Sequence, residues 1–594
     1  MLQIEKLPQS FPIHFCPENL NFRYWEEMEP FFQSLLQRQI SGQKEFLQWI
    51  EDWNELASIL KESEDRLFLH TACQTDNEDY RRQYLEYQEN VKPKLEPYWH
   101  KVHLKYLEHR QRIALPSRYD FFHRHIENQV KLWRQENIAL QVEEVRLCQK
   151  YNELTGAMTV EYRGQERTLS QLTLLLEEPD RQVREEAWRL IWQRRSQDRE
   201  RLDELFDRLF QLRVKMARNA GYEDFISFSF ARLERFDYTP QDCQELHKAV
   251  EKIVVPVVHR LQKRRQKALG VETLRPWDLS VDPWGEVPLR PFRDVRELVE
   301  KAFLVLQRLD PEFGERFREM EQLGLLDLDN RKAKAPGGFQ YDLEAHRYPF
   351  IFMNAVGSHE DVITLFHEFG HALNYFASRQ ESILYYRHPP IEFAEVASMA
   401  MELLSSEHWN VFYKPPVLTR ARKVHLIDIV KFLPWFAAID YFQHLLYCHP
   451  NHTVRDREAF WLETMERFGG VEDWSGLEEF RKFSWQRQLH LFEVPLYYIE
   501  YAFAQLGALQ IWLNAKKDPK KALSQYKYAL SLGGTCSLKE LYEAAGAKFV
   551  FSEREIASIL EAVLVEIEAL EKLYRDEMRS GACGNGDVGK VELE

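Results

Sequence analysis

Residues 361–377 read DVITLFHEFGHALNYFA, and the interpretation of the whole chain starts from this stretch. It places His367, Glu368 and His371 in an H-E-x-x-H pattern. Positions i and i+4 of an α-helix lie on the same face, so the two histidines can present their imidazoles to one metal ion. The glutamate next to the first histidine can act as a base toward a water that the metal activates. This arrangement is typical of zinc peptidases.

The residues around the motif favour a buried helix. Because H-E-x-x-H also occurs by chance in long chains, a surface helix with two ordinary histidines is the alternative. Buried imidazoles and carboxylates need partners, however, and a zinc ion would supply one. The apolar residues that nearly surround the motif, and so predict burial on most sides, are Val362, Ile363, Leu365, Phe366, Phe369, Ala372 and Leu373.

A catalytic zinc site needs a third protein ligand, and its fourth position is left to water. In metzincins the motif continues with a glycine and a third histidine, but here Asn374 and Ala377 occupy these positions, which excludes that class. The next helical segment, residues 391–402 (IEFAEVASMAME), follows two prolines. Its carboxylates Glu392, Glu395 and Glu402 lie near one face of the predicted helix. We therefore expect the third ligand, a histidine or a glutamate, downstream of the motif.

The H-E-F-G-H-A-L helix followed by E-F-A-E-V-A-S-M-A-M-E resembles the thimet-type oligopeptidase family, and in particular its oligoendopeptidase F and Pz-peptidase branch. The similarity runs from about residue 154 to residue 551 and includes LEEPDRQVREEAW, RVKMARNAGYEDF and RFDYTPQDC. The resemblance implies one zinc ion per chain, held by His367, His371 and Glu395. It also implies that Glu402 orients a zinc ligand. Many members have a histidine at the position of Asn374, which is not a family zinc ligand, so we expect altered contacts there and not a lost metal.

A polar aromatic cluster lies further along the chain, in residues 485–501 (WQRQLHLFEVPLYYIEY). From the residues alone, a histidine with neighbouring tyrosines is more often structural than catalytic. The resemblance implies instead that a histidine and tyrosines of this cluster contact the substrate and its oxyanion. We assign this role first to His490 and Tyr498, next to Tyr501, and last to Tyr497.

The order of elements predicts a mainly α protein with little β structure. Residues 20–114 are expected to form long helices, residues 155–170 a short hairpin, and the proline-rich residues 274–292 an irregular segment. Residues 348–353 are expected to form a strand just before the metal helix, and Asp361 to cap or charge the start of that helix. A strand edge there can pair with an extended peptide, and the resemblance implies that this strand aligns the substrate.

The resemblance further implies a large two-lobed helical metallopeptidase with a deep substrate channel and a small β element beside the zinc helix. We place the N-terminal helical lobe at residues 1–200, the catalytic region at 201–580 and a disordered, glycine-rich tail at 581–594. A channel of this depth would admit oligopeptides and exclude folded proteins.

The composition restricts the partners of the protein. The formal net charge of the 594 residues is −15, which disfavours nucleic acid as a partner. No segment has the length of a membrane span, and the first residues, MLQIEKLPQSFPIHFC, lack the pattern of a signal peptide. The seven cysteines are scattered and form no C-x-x-C. They are expected to be reduced thiols of a cytoplasmic protein, and the oligomeric state stays open.

The function expected from these observations is zinc-dependent hydrolysis of internal bonds in short peptides, with a zinc-bound water as nucleophile and Glu368 as general base. One alternative is a zinc exopeptidase of the same fold, such as a dipeptidase or carboxypeptidase, which would need a group to hold a terminal charge. The other is a non-catalytic helical peptide-binding protein. That alternative is disfavoured because Glu368 and all the expected ligands are present.

Overall fold

Helices make up most of the chain in a computed structural model that describes residues 7–9, 11–17, 23–335 and 337–580. The first ten are α1 (Trp25–Gln37), α2 (Gln43–Cys73), α3 (Glu78–Glu86), α4 (Lys92–Arg110), α5 (Asp120–Leu132), α6 (Gln135–Gly156), α7 (Leu169–Thr173), α8 (Arg181–Ser196), α9 (Arg199–Asn219) and α10 (Phe225–Arg232). The helices expected between residues 20 and 114 are therefore confirmed. The tail that is predicted to be disordered, residues 581–594, lies outside the described residues.

The later helices surround the H-E-x-x-H motif. They are α11 (Pro240–Ala249), α12 (Val255–Leu269), α13 (Val295–Leu309), α14 (Pro311–Gln322), α15 (His359–Ser378), α16 (Ile391–Ser406), α17 (Val417–Cys448), α18 (Val454–Phe468), α19 (Glu478–Lys482), α20 (Leu489–Glu493), α21 (Ile499–Lys517), α22 (Pro519–Ser531), α23 (Leu538–Ala544) and α24 (Glu553–Arg579). The motif lies in α15, and the predicted glutamate-rich helix is α16. Residues 274–292 are irregular apart from one short 3₁₀ turn, as the prolines predict.

Two hydrophobic cores divide the structure. The smaller core is formed by residues between 16 and 126, joined by Ile383 and Tyr386. The larger core includes most buried apolar residues from Leu147 to Leu570, so it contains the surroundings of α15 and α16. The smaller core thus ends well before residue 200, where the sequence places the end of the N-terminal lobe, and the domain boundaries stay a prediction.

The β structure is limited to a hairpin and a three-stranded sheet. Strands β1 (Thr159–Tyr162) and β2 (Gln165–Thr168) form the predicted hairpin, with Arg163 and Gly164 at positive φ in its turn. Strands β3 (Leu326–Asp329), β4 (Phe339–Leu343) and β5 (Tyr348–Ala355) form the sheet, in the order β3-β5-β4.

The position of β5 corrects one prediction. The strand forms where it is expected, but both of its sides are paired: with β4 from Tyr348 to Phe352, and with β3 from Ile351 to Ala355. A strand with nearly every side chain buried belongs in the middle of a sheet, which explains its place. The interpretation of β5 as a free edge for a peptide is therefore wrong, because the edge strands of this sheet are β3 and β4.

None of the helices in the described ranges is long and apolar enough to cross a membrane. The six cysteines in the same part of the chain are all free thiols.

Candidate metal and catalytic site

Helix α15 begins at a well-defined cap. The Ser358 side chain accepts a hydrogen bond from the backbone N–H of Asp361, and the Asp361 carboxylate accepts one from the N–H of Ser358 at 2.8 Å. This reciprocal capping box satisfies backbone donors that have no partner within the helix. The predicted role of Asp361 at the helix start is therefore confirmed, and the cap fixes where the next turns place His367 and His371.

Gly370 allows α15 and α16 to approach each other closely. A Cβ atom at this position would lie 2.5 Å from Ser398 Cα and 2.7 Å from the backbone oxygen of Ala397. No side chain fits between the two helices here, so only glycine lets the backbones come this near. The close contact brings Glu395, on α16, opposite the two histidines of α15.

His367, His371 and Glu395 form a compact group. Their ligand atoms all lie within 4.8 Å of one another. The Nε2 atoms of His367 and His371 are 3.4 and 3.5 Å from Glu395 Oε2. A tetrahedral zinc site with bonds of about 2.1 Å has its ligand atoms about 3.4 Å apart, so these two distances match those of a zinc site.

The other atoms of these ligands are held by neighbours. The His367 Nδ1 is 2.7 Å from Glu402 Oε1, and the Ser398 hydroxyl donates to Glu395 Oε2 at 3.1 Å. A carboxylate on Nδ1 fixes the histidine tautomer that leaves Nε2 free to bind a metal, and it makes that nitrogen more basic. The position of Glu402 thus suits the orienting role that the resemblance implies, whereas Ser398 was not expected from the sequence.

Glu368 lies beside the group and takes no part in it. Only 6% of the residue is exposed. Burial raises the pKa of its carboxyl group, and His367 and His371 act in the opposite direction without cancelling the effect. A carboxylate with a raised pKa accepts a proton more readily than one in water, which is the property required of a general base.

Two tyrosine hydroxyls lie near the metal ligands, one from the turn before α21 and one from the first turn of that helix. The Tyr497 hydroxyl donates to Glu395 Oε1 at 3.0 Å, and the Tyr501 hydroxyl lies 3.5 Å from His490 Nε2. Tyr498 packs its ring against Phe436 at a centroid distance of 5.6 Å. Trp435 and Gln488, which are joined by a hydrogen bond of 3.2 Å, lie near its hydroxyl. The structure therefore brings Tyr497, the last choice from the sequence, closer to the ligands than Tyr498, the first choice.

His490 is a neutral imidazole, and its ring lies beside Tyr501. Burial lowers its pKa to about 4, and the nearby Glu395 only partly opposes this shift. Its Nδ1 lies 2.8 Å from Gln488 Nε2, which fits an unprotonated Nδ1 that accepts a hydrogen bond. The remaining proton is then on Nε2, which is directed toward Tyr501.

A buried ion pair fixes the turn that carries these tyrosines. Arg235 donates to Glu500 Oε1 at 2.7 Å and to the backbone oxygen of Leu496 at 2.6 Å. Leu496 has a positive φ of 62°, a strained conformation for a leucine, and its N–H donates to Gln443 Oε1. Arg235 lies more than 260 residues earlier in the chain. Its role could not be read from the local sequence.

Two further polar residues, Glu392 of α16 and Asn374 of α15, are not members of the ligand group. Glu392 accepts a hydrogen bond from the Tyr238 hydroxyl at 2.6 Å and so belongs to the network around Arg235. Asn374, where the resemblance implies a histidine in many members, is buried, and its Oδ1 has no hydrogen-bond partner among the described residues. The contacts at this position are therefore altered as expected, because the amide oxygen of Asn374 is unpaired among the described residues.

The deep substrate channel that the resemblance implies stays a prediction at this site.

Comparisons with known proteins agree with this geometry. The model of peptidase family M3 matches residues 174–559, a range that contains all the site residues described above. An oligoendopeptidase F homolog of Borreliella burgdorferi is 23% identical over 385 residues, which is 62% of this chain and 62% of that protein. The aligned region thus spans less than two thirds of the length of this curated relative.

Solved structures match over nearly the whole chain. A structure of Pz peptidase A with an inhibitor has a TM-score of 0.86 at 27% identity and covers 94% of this chain and 99% of its own. An X-ray structure titled as an oligoendopeptidase F has a TM-score of 0.85 at 28% identity, with coverage of 92% and 98%. These matches confirm the predicted fold class and the resemblance to the oligoendopeptidase F and Pz-peptidase branch.

Proposed function

The chain belongs to peptidase family M3, and from this premise we propose that it is a zinc-dependent oligoendopeptidase that cleaves internal bonds of short peptides. The observation that carries the proposal is the group of His367, His371 and Glu395, with ligand atoms within 4.8 Å of one another and Glu368 beside them. These three residues would hold one zinc ion. When bound, zinc would supply a Lewis acid that polarises the peptide carbonyl and lowers the pKa of water to about 7.

In this proposal Glu368 moves the proton. Its carboxylate takes a proton from the attacking water and later delivers it to the nitrogen of the leaving amine. Burial raises the pKa of this group, with His367 and His371 acting in the opposite direction, so the carboxylate gains affinity for the proton that it must carry. Glu402 keeps His367 in the required tautomer through the 2.7 Å contact with Nδ1.

The oxyanion donors are proposed from the positions of their polar atoms. The Tyr501 hydroxyl lies 3.5 Å from His490 Nε2, and the Tyr497 hydroxyl lies 3.0 Å from Glu395 Oε1. We assign stabilisation of the developing negative charge to these three residues. Tyr498, the first tyrosine suggested by the sequence, is better suited to supporting His490 through Gln488. A donor of this kind typically contributes about 2.7–4 kcal/mol to transition-state stabilisation.

Oligopeptides are the substrates that we propose. Glu368 and Glu395 are buried, with 6% and 5% of each residue exposed, and His490 is only partly exposed. A folded domain is too wide to bring a peptide bond to buried groups of this kind, whereas an extended peptide is not.

The test combines metal analysis with product mapping on the purified full-length protein. A defined mixture of short peptides and one unfolded protein is incubated with the enzyme, and the products are identified by mass spectrometry. We expect internal cuts in the peptides and little cleavage of the long chain. Stepwise release of terminal dipeptides or single residues would instead identify an exopeptidase, and bound zinc without any cleavage would identify a peptide-binding protein.

The matched variant for this test is Glu368→Gln, which keeps the size of the side chain and removes the base. We expect it to keep its zinc and to lose nearly all turnover. Activity within a few-fold of the unmodified enzyme would contradict the role of Glu368.

A further inference from the structure

A second group of potential metal ligands lies away from the H-E-x-x-H motif, between helices α11 and α17. Cys243 and His247 are four residues apart on α11, and Asp440 and His444 are four residues apart on α17. Each pair therefore projects from one face of its helix, and the two faces meet. All four residues are buried, with 0% exposure for Cys243, 1% for His247 and Asp440, and 6% for His444.

The distances in this group are short. Ligand atoms of Cys243, Asp440 and His444 all lie within 4.8 Å of one another, as in the catalytic group. His247 Nε2 lies 2.8 Å from Asp440 Oδ2, so the imidazole can donate to the carboxylate and orient it. His444 Nε2 is 3.3 Å from the same oxygen but is not aligned for a hydrogen bond.

Hydrogen bonds within the group leave polar atoms unpaired. Asp440 Oδ1 and His444 Nε2 are buried and have no hydrogen-bond partner among the described residues. Such orphaned atoms are rare in protein interiors and are costly when nothing pairs with them. A carboxylate oxygen and an imidazole nitrogen with free lone pairs are also the atoms that bind a metal, and the Cys243 sulfur lies beside them.

The donor types of the group match the charge of a divalent cation. A buried carboxylate is unfavourable unless a positive charge or hydrogen bonds pair with it. A divalent cation bound by one carboxylate, one thiolate and one neutral imidazole gives a group with no net charge.

We propose that Cys243, Asp440 and His444 form a second metal site, separate from the catalytic one, for Zn²⁺ or a divalent cation of similar softness. The mixed sulfur, nitrogen and oxygen donors favour zinc over magnesium or calcium, which prefer oxygen alone. His247 holds the Asp440 carboxylate in place from behind, as partners of metal ligands commonly do. Because the whole group is buried, the metal enters as the chain folds.

The site has a structural role that connects it to the tyrosine turn. It joins α11 to α17, and Gln443, the residue before His444, accepts the N–H of Leu496 at 2.6 Å. Leu496 directly precedes Tyr497. A metal between the two helices would therefore fix the segment of α17 that holds this strained turn in place.

The test uses Co²⁺, which shows an intense sulfur-to-metal charge-transfer band when a thiolate binds it. The full-length protein is produced in cobalt-supplemented medium, so that metal is present during folding, and is purified under reducing conditions. His367, His371 and Glu395 include no sulfur, so the band reports on Cys243 alone. We expect two metal ions per chain and a cobalt–thiolate band in the unmodified protein.

Variants separate the two sites. Cys243→Ala should lose the band and one of the two metal ions, and Asp440→Asn should weaken both signals. His371→Ala should lose the other ion and keep the band, and Cys536→Ala, at a half-buried free cysteine, should change neither. A single metal ion per chain without a cobalt–thiolate band in the unmodified protein would overturn the proposal, as would a band that survives in Cys243→Ala.

Discussion

Replacement of Gly370 by alanine tests whether helix packing sets the geometry of the metal ligands. The new Cβ would lie 2.5 Å from Ser398 Cα, 2.7 Å from the Ala397 oxygen and 3.0 Å from the Ala397 carbon. Carbon atoms in contact are about 3.5–4.0 Å apart, so α16 must move away from α15 by about 1 Å. All three obstructing atoms belong to the backbone, and none can rotate aside. Glu395, within one helical turn of them, moves with the backbone.

The expected loss of function exceeds the loss of stability. The two histidine Nε2 atoms, now 3.4 and 3.5 Å from Glu395 Oε2, would move away from it. Metal–ligand bond lengths tolerate changes of only about 0.2 Å. We expect at least a 10–100-fold loss of zinc affinity, and a fall in kcat/KM of about 10²-fold for a 1 Å misplacement. Overpacking lowers the free energy of unfolding by about 1–3 kcal/mol. The better helix propensity of alanine raises it by about 1 kcal/mol, so the net loss of stability is small.

Three measurements separate these effects: zinc affinity by competition with a chelator, kcat/KM on an internally quenched peptide, and the free energy of unfolding in urea. The control is Gly507→Ala on α21, where the new Cβ would meet side-chain atoms, at 2.7 Å from Tyr542 Cε1 and 3.0 Å from Val396 Cγ2. Side chains can rotate away, so Gly507→Ala should lose some stability and keep its zinc affinity. If Gly370→Ala binds zinc and cleaves peptide as the unmodified protein does, close helix packing does not determine the site.

Three other predictions concern single side chains. Glu402→Gln should lower zinc affinity about 10–100-fold in the same chelator assay, because it removes the negative charge that faces His367 Nδ1; unchanged affinity would exclude the orienting role. Tyr497→Phe should lower kcat about 10²–10³-fold and Tyr498→Phe less than about fivefold, and the reverse order would restore the assignment made from the sequence. Burial lowers the pKa of His490 from 6.5 to about 4, so between these values the unfolded chain binds the additional proton and stability falls as the pH falls. The unfolding free energy of His490→Asn should therefore depend less on pH between 6.5 and 4, and a curve parallel to that of the unmodified protein would contradict the shifted pKa.

The sequence predicted those parts of the site that depend on a helical repeat. His367 and His371 share a face because they are four residues apart, and the helix that carries Glu395 was recognised from its composition and its preceding prolines. The paired position of β5 was missed because a buried apolar strand gives no sign of which neighbours it pairs with. The sequence of β5 indicates that the strand is buried, but it does not indicate which strands lie on either side of it.

The order of the tyrosines was missed for a different reason. Tyr497 and Tyr498 are adjacent, and which of them faces the metal ligands depends on the backbone at Leu496, with its φ of 62°. That conformation is held by Arg235, from the distant loop between α10 and α11, and by Gln443 of α17. Contacts over such sequence distances follow from the tertiary fold, so no local pattern of the tyrosine segment contains them.

Helix α16 connects these observations, because it is packed closely on two sides. Gly370 of α15 lies against one side, Gly507 of α21 meets Val396 on another, and the buried Tyr526 hydroxyl donates to the Ala397 oxygen at 2.7 Å. Helix α15 carries the histidines, α16 carries Glu395, and α21 begins directly after the turn with the tyrosines. The metal ligands and the proposed oxyanion donors thus lie on elements that pack against or include the same helix, α16. A substitution that moves α16 should therefore impair zinc binding and transition-state stabilisation together, whereas the loss of a single tyrosine hydroxyl should impair only the second.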